Sequence, residues 1–330
     1  MSPSAALASP VFRFYGTVAV ALLFGAGALL ALVRWGFHKN VDHAWKAYLG
    51  WLVMVPLLLL AIFLGRETTI IFFTLVAVFG FKEFARATGL YRDWFMTGAV
   101  YLAILATGAI ALVPDPDPAK GVPGWYGMFM ALPVFVIATI MMIPIVRNRS
   151  QGQLQLLALS LVGFIYFGWM FAHLAFLANA TQTLYQGQEP AGTVAYSYLF
   201  YLLFAVGLND VAAFTTGKLL GRHQLRSNIS PKKTWEGSLG ALAVSLLLPW
   251  LLSWTFPSDF SARDFILMGL IVGIGGQLGD LAISVIKRDL GIKDMGAAIP
   301  GHGGILDRID SIIYAAPLFF HVVRYFHDLY

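Results

Sequence analysis

Apolar residues run along this chain in long blocks, broken by short polar connections. Ten blocks stand out, near 15–33, 47–64, 68–85, 94–113, 125–146, 154–178, 196–219, 238–256, 264–286 and 311–326. About 20 predominantly apolar residues cross a hydrocarbon core of roughly 30 Å as a helix. Backbone groups in lipid must be satisfied within the segment, so blocks of this length predict helices. Ten-residue stretches with period-two alternation, the mark of a membrane β-barrel, are absent. The expected fold class is therefore all-α: a polytopic integral membrane protein of about ten transmembrane helices.

Composition agrees. Of 330 residues, 58% are hydrophobic and 12% are charged, against roughly 25% charged in an ordinary soluble domain. A soluble globular fold is excluded. With no cysteine in the chain, disulfides, thiolate metal sites and cysteine nucleophiles are excluded too. The net charge of +5 would suit a nucleic-acid partner, but the cations lie in the wrong places for one. On the ten-helix arrangement, seventeen of the 22 Lys and Arg residues fall on one side. They include Arg34, Lys39, Lys82, Arg86, Arg147, Lys218, Lys232, Lys233, Lys287 and Arg308. The positive-inside rule makes that side cytoplasmic and turns both ends of the chain outward. Near the start, Arg13 precedes an apolar stretch of the kind found in secretory signals. At about 19 residues it exceeds the 7–15 of a signal core, so a retained helix is expected.

The chain divides by texture. Residues 1–195 read as a scaffold of apolar helices with short connections, lipid-facing in character. Their Pro-rich turn at 114–124 and cation-free loop at 179–195 carry no obvious chemistry. Residues 196–330 hold nearly all the unusual polar groups, within what reads as one membrane domain. A helical-packing homodimer is compatible with this pattern but has no positive support in it.

The polar groups are concentrated. Asp210 sits within the seventh block and Asp280 within the ninth. A carboxylate at mid-bilayer costs about 2.5–3.5 kcal/mol on insertion scales, so each should face protein, water or a cation. Asp280, Ser284 and Lys287 are spaced i, i+4 and i+7, on one helical face. Asp307 and Asp310 are spaced i and i+3. Gathered carboxylates repel unless protonated or bridged by a cation. Oxygen ligands suit Mg²⁺, which takes one or two carboxylates plus substrate phosphates. Salt bridging with neighbouring Lys and Arg is the competing reading, and it is the simpler one for Asp289 and Asp294. Ser230-Pro231 reads as a helix start, Ser as N-cap and Pro in the first position. Lys232 and Lys233 would then sit at the positive end of the helix dipole, a conflict that a bound anion would relieve. His302 lies among Gly301, Gly303 and Gly304, where backbone can approach a ligand closely.

The stretch from Ser284 to Asp310 resembles the signature of the phosphatidate cytidylyltransferase (CDP-diacylglycerol synthase) family. The pattern is met by Ser284, Lys287, Arg288, Lys293, Asp294, Gly296, Pro300, His302, Gly303, Gly304, Asp307, Arg308 and Asp310. Ser230 to Gly237 is similar to a second block of that family, as is Asn209-Asp210 with Ala213, Phe214 and Gly217. The family often has Tyr where Phe214 stands. The resemblance covers roughly residues 200–315. It implies transfer of the cytidylyl group of CTP to phosphatidic acid, giving CDP-diacylglycerol and pyrophosphate. It further implies catalytic roles for Asp280, Asp307, Lys287, Arg288 and His302. Substrate contacts would come from Ser230, Lys232, Lys233, Ser284, Lys293, Asp294, Gly303, Gly304 and Arg308. Mg²⁺, with room for a second cation, would be held among Asp280, Asp307, Asp310 and Asp210. The expected setting is a bacterial inner (cytoplasmic) membrane with the site on the cytoplasmic side. The alternative from another class is an ion-coupled secondary transporter using the intramembrane Asp residues.

Overall fold

The computed structural model of the chain describes residues 1–116, 123–186, 189–296 and 303–327. Pro300, Gly301 and His302 lie outside the described residues. Helix α1 (Pro3–Ala8) leads into α2 (Pro10–Ala31), each opened by a Ser N-cap ahead of a Pro. Next come α3 (Asp42–Leu64), α4 (Arg66–Ala87), α5 (Trp94–Leu112) and α6 (Tyr126–Val146). Gly65 divides α3 from α4 at φ 128°, a backbone state that glycine tolerates. Helix α7 (Gln153–Gly163) runs through a π-helical turn at Phe164–Met170 into α8 (Ala172–Phe176). A short hairpin, β1 (Thr183–Gln186) with β2 (Glu189–Thr193), precedes α9 (Val194–Leu220). A second hairpin, β3 (Gln224–Arg226) with β4 (Ser230–Thr234), precedes α10 (Trp235–Leu251). Helix α11 (Ala262–Leu270) continues through a π-helical turn at Ile271–Gly276 into α12 (Gln277–Asp289), and α13 (Leu306–Phe326) follows.

All ten apolar blocks are helical. Eight helices among the described residues are long and apolar enough to cross a membrane. Of the remaining two, α10 is apolar but has 17 residues. Helix α13 has 21 residues, with Asp307, Arg308, Asp310 and Arg324 along it. The protein is an all-α polytopic membrane protein.

Lipid tails are as apolar as the helices, so helix association rests on close packing and polar bonds. Both are visible. Phe81, Phe84 and Phe167 interlock with ring centroids 5.9–6.4 Å apart, tying α4 to the π turn after α7. Helix α9 packs along α10, where a Cβ on Gly237 would stand 2.7 Å from the Ala213 carbonyl oxygen. Helix α13 lies against α12, the second π turn and α9, with Ile313, Ala315, Ala316, Phe319 and Phe320 buried.

Polar bonds hold the helix ends. At the cation-rich end of the bundle, Arg147 after α6 pairs with Asp93, the N-cap of α5, at 2.7 Å. Burial works to raise the Asp93 carboxyl, but the Arg147 guanidinium and the Met96 amide outweigh it and hold it below the usual carboxylate range. The pair thus stabilises the fold above that range and stops doing so as pH falls through the lowered value. At the opposite end, Arg66 donates to Asn179 Oδ1 at 2.6 Å and to the Ala111 and Leu112 carbonyls, each at 2.9 Å. It caps the end of α5, where carbonyls have no helical partner. Arg66→Met removes the charged donor from all three acceptors, although the Ala111 carbonyl keeps the Asn179 side-chain amide at 3.0 Å. A loss of about 2–3 kcal/mol is expected, the cost of removing hydrogen bonds to a charged donor. A lowered thermal midpoint in detergent, with the distant polar cavity unaltered, would show it.

Candidate active site

At the end of the bundle that carries most cations, a cavity of about 550 Å³ opens between α9, β4, α10, α12 and α13. Five carboxylates reach its wall: Asp210 from α9, Asp280 from α12, Asp294 from the following loop, and Asp307 and Asp310 from α13. Five cations face them: Lys218, Lys232, Lys233, Lys287 and Arg308. These residues come from stretches up to a hundred positions apart, and the fold brings them to one place.

The local structure explains how. Helix α12 places Asp280, Ser284 and Lys287 on one face, and Ser284 Oγ donates to Asp280 Oδ1 at 3.2 Å. Lys287 is buried and donates to Asp307 Oδ1 at 2.9 Å. The other Asp307 oxygen accepts from the Met295 and Gly304 amides, each at 3.0 Å. Asp307 is therefore engaged by three donors, two of them backbone amides of the glycine loop. Asp310 is buried one turn along and accepts from the Ser311 amide at 2.8 Å. Asp210 is open to the cavity and meets Ser311 Oγ at 3.4 Å. Its neighbour Asn209 is buried and accepts from Ser245 Oγ at 3.1 Å, locking α9 to α10.

The Ser230-Pro231 helix start does not occur. Ser230 to Thr234 form β4, antiparallel to β3, and the helix begins at Trp235. Thr234 is the N-cap, with Oγ1 accepting from the Gly237 amide at 3.1 Å, and Glu236 lies in the first turn. The helix dipole thus meets a carboxylate rather than two cations. The conflict noted in the sequence is removed by starting the helix later, with no anion needed. Proline is tolerated because a two-stranded hairpin leaves an open edge. Lys232 and Lys233 reach the cavity from the strand instead, and Lys233 Nζ lies 2.5 Å from Asp280 Oδ2.

Other expected residues stand back from the wall. Arg288 is exposed and donates to the Ile229 and Ile292 carbonyls, each at 3.1 Å, bracing the second hairpin against the end of α12. Ser230 and exposed Lys293 do not line the cavity. Gly303 adopts φ 79°, and Gly304 supplies an amide to Asp307. Several contributors were not singled out from the sequence. Ser238 Oγ donates to Gln277 Oε1, and both residues line the cavity beside Thr234. Gln277 precedes Asp280 by three positions, so helical spacing could have found it. Lys218 was counted only as a topological charge.

Asp210, Asp280 and Asp310 lie near enough to act on one another electrostatically. Among the described residues, no three acidic or His side chains form a ready-made metal cage. Mg²⁺ typically uses one or two carboxylates and completes its shell with water and substrate phosphates. Asp280 and Asp310, with Asp210 alongside, fit that donor set. Asp307, already engaged three times, fits it less well.

Gly279 sets the spacing. A Cβ there would collide with the Asp310 carbonyl oxygen and lie 3.0 Å from Ser311 Cα. Only glycine lets α12 and α13 approach so closely beside Asp280 and Asp310. Gly279→Val should force the two helices apart. Overpacking costs about 1–3 kcal/mol, so the variant should insert but melt earlier. It should also lose cavity function more severely than stability, measured by comparing ligand binding with the thermal midpoint.

Comparison with known proteins gives this geometry a context. The cytidylyltransferase family profile matches residues 45–326. The chain is 37% identical over 169 residues to an uncharacterized protein, YnbB, of Escherichia coli (strain K12), covering 50% of this chain and 54% of that protein. It is 46% identical over 123 residues to a phosphatidate cytidylyltransferase of Staphylococcus aureus (strain COL), covering 37% of this chain and 46% of the relative. These matches span about half the length of each relative. A longer match, 29% identical over 272 residues, is to a phosphatidate cytidylyltransferase of Staphylococcus haemolyticus (strain JCSC1435) and covers 82% of this chain and 94% of the relative. Nothing in these similarities supports the transporter alternative. With most of its length matched by the family profile, the chain belongs to the cytidylyltransferase family.

Proposed function

We propose that the protein transfers the cytidylyl group of CTP to phosphatidic acid, releasing pyrophosphate and forming CDP-diacylglycerol. The observation that carries this reading is the cavity itself. Five carboxylates and five cations meet at one end of an apolar bundle. A wall so balanced has little surplus charge to spare for a triphosphate and a lipid phosphate together. A divalent cation arriving with the nucleotide would supply the missing charge.

In this mechanism an oxygen of the phosphatidate phosphate attacks the α-phosphorus of CTP in line. The bond from that phosphorus to the α–β bridging oxygen breaks, and pyrophosphate leaves. No covalent enzyme intermediate is needed. The work of the protein is positioning and charge stabilisation. Lys232, Lys233 and Lys287 act as point charges on phosphate oxygens, and Arg308 offers a fork of donors. Asp280 and Asp310, with Asp210, would hold Mg²⁺, which neutralises charge on the reacting phosphates and leaving group. Asp307 acts one step back, fixing Lys287 and the glycine loop. For His302 the resemblance to the family signature implies a catalytic role. Phe214 lines the cavity and is 71% exposed. It gives the lipid an apolar approach along α9, while CTP enters from the cytoplasmic side.

Membranes bearing the protein should convert labelled CTP into a chloroform-soluble product, dependent on phosphatidate and Mg²⁺ and abolished by EDTA. Asp280→Asn should lower the rate by about 10² or more, the usual scale for losing a preorganised electrostatic group, while insertion is unchanged. Full activity in that variant would sink the metal assignment. A wild-type protein that never labels lipid would sink the reaction.

A further inference from the structure

Gly296, Gly304 and the start of α13 meet a side chain from the far half of the chain. Glu83 lies near the end of α4 in Lys82-Glu83-Phe84. Its Oε2 accepts from the Leu306 amide at 2.9 Å, across 223 positions of sequence. Leu306 is the first residue of α13, and the N-cap residue, Ile305, provides no side-chain acceptor. A carboxylate at this position satisfies an orphan amide and complements the positive end of the helix dipole. The same carboxylate sits between two glycines. A Cβ on Gly296 would stand 2.5 Å from Glu83 Oε1, and one on Gly304 would stand 2.9 Å from Glu83 Cδ. Neither glycine has the excuse of space: both positions are filled by this one side chain. Glu83 Oε1 is buried and meets no hydrogen-bond partner among the described residues.

We propose that Glu83 is a positioning residue of the site, the strut by which α4 fixes Gly296, Gly304 and the first turn of α13. Asp307 lies in that turn and ties Lys287 to the Met295 and Gly304 amides. Displacing the turn would shift Asp307 relative to Lys287 and Asp280 on α12. The catalytic part of the proposal rests on the cavity being a nucleotidyl-transfer site; the structural part does not.

The test therefore has two arms, on full-length protein in nanodiscs. In the first, hydrogen exchange is followed by mass spectrometry in the peptide 303–312, without ligand. Glu83→Ala should speed exchange there, while Glu83→Gln, which retains an acceptor, should stay near wild type. In the second arm, CTP turnover is measured. Glu83→Ala should lower kcat at least about tenfold, the factor expected for losing one charge-assisted bond. The KM for CTP should change far less, and Glu83→Gln should recover most of the rate. Gly296→Ala, which pushes the carboxylate aside, should mimic Glu83→Ala, and the double variant should be no worse than either single one. It carries the same test should Glu83→Ala fail to insert. Unchanged exchange in Glu83→Ala, or a Gln variant as impaired as Ala, would overturn the proposal. If wild-type protein turns over no CTP, the cytidylyl-transfer reading fails and the exchange arm alone judges the strut.

Discussion

How closely α12 can approach α13 decides what the polar end of this bundle is able to do. The two helices meet backbone to backbone at Gly279, and the carboxylates of Asp280 and Asp310 flank that contact. Like charges brought together this way are unfavourable alone. Two lysines offset the carboxylate charge gathered here. Lys233 arrives on a strand and pairs with Asp280, while Lys287 arrives on α12 and pairs with Asp307. The Lys287–Asp307 pair is buried, and pairs of that kind roughly break even in stability; the Lys233–Asp280 pair is partly exposed. On the proposed cytidylyl-transfer reading, the concentration of these pairs in one place serves phosphate binding rather than a firmer fold.

The rest of the molecule makes that contact possible. Aromatic packing around Phe81, Phe84 and Phe167 fixes α4 against the π turn after α7. The π turn at Ile271–Gly276 carries glycines that face α10 and α13: a Cβ on Gly273 would meet Leu242, and one on Gly275 would meet Leu318. Single-turn π segments of this sort recur beside functional sites because they re-aim the helix that follows. Here the helix that follows carries Asp280. The N-terminal half is linked to the same region through Glu83, so the division at residue 195 is one of composition rather than of mechanics.

Much of this was legible in the sequence, because a membrane leaves few choices. Block lengths and the one-sided distribution of cations specify helices and their alternation. Same-face spacing relates Asp280, Ser284 and Lys287, and the structure keeps all three on one face. The Ser230 helix start misled because Ser-Pro is a good local N-cap signal, whereas Thr234 with Glu236 two residues later is a better one electrostatically. Two cations misplaced on a dipole were a sign against the helix, not a sign of a ligand. Glu83 was invisible for a different reason. Its partner is 223 positions away, and no local periodicity reports a contact between the ends of two distant helices. Asp307 shows the same limit. Its spacing to Asp310 placed both on one helical face, but three donors from a loop and a neighbouring helix had claimed it first.

The central claim is that carboxylates from separate helices hold a divalent ion together with nucleotide phosphate. Electron paramagnetic resonance of Mn²⁺ titrated into the purified protein tests it directly. The account predicts that free Mn²⁺ signal falls when protein and CTP are both present, and that this CTP-dependent uptake disappears in the variant carrying Asp280→Asn and Asp310→Asn. Equal Mn²⁺ uptake by that double variant, or tight CTP binding indifferent to any divalent ion, would contradict it.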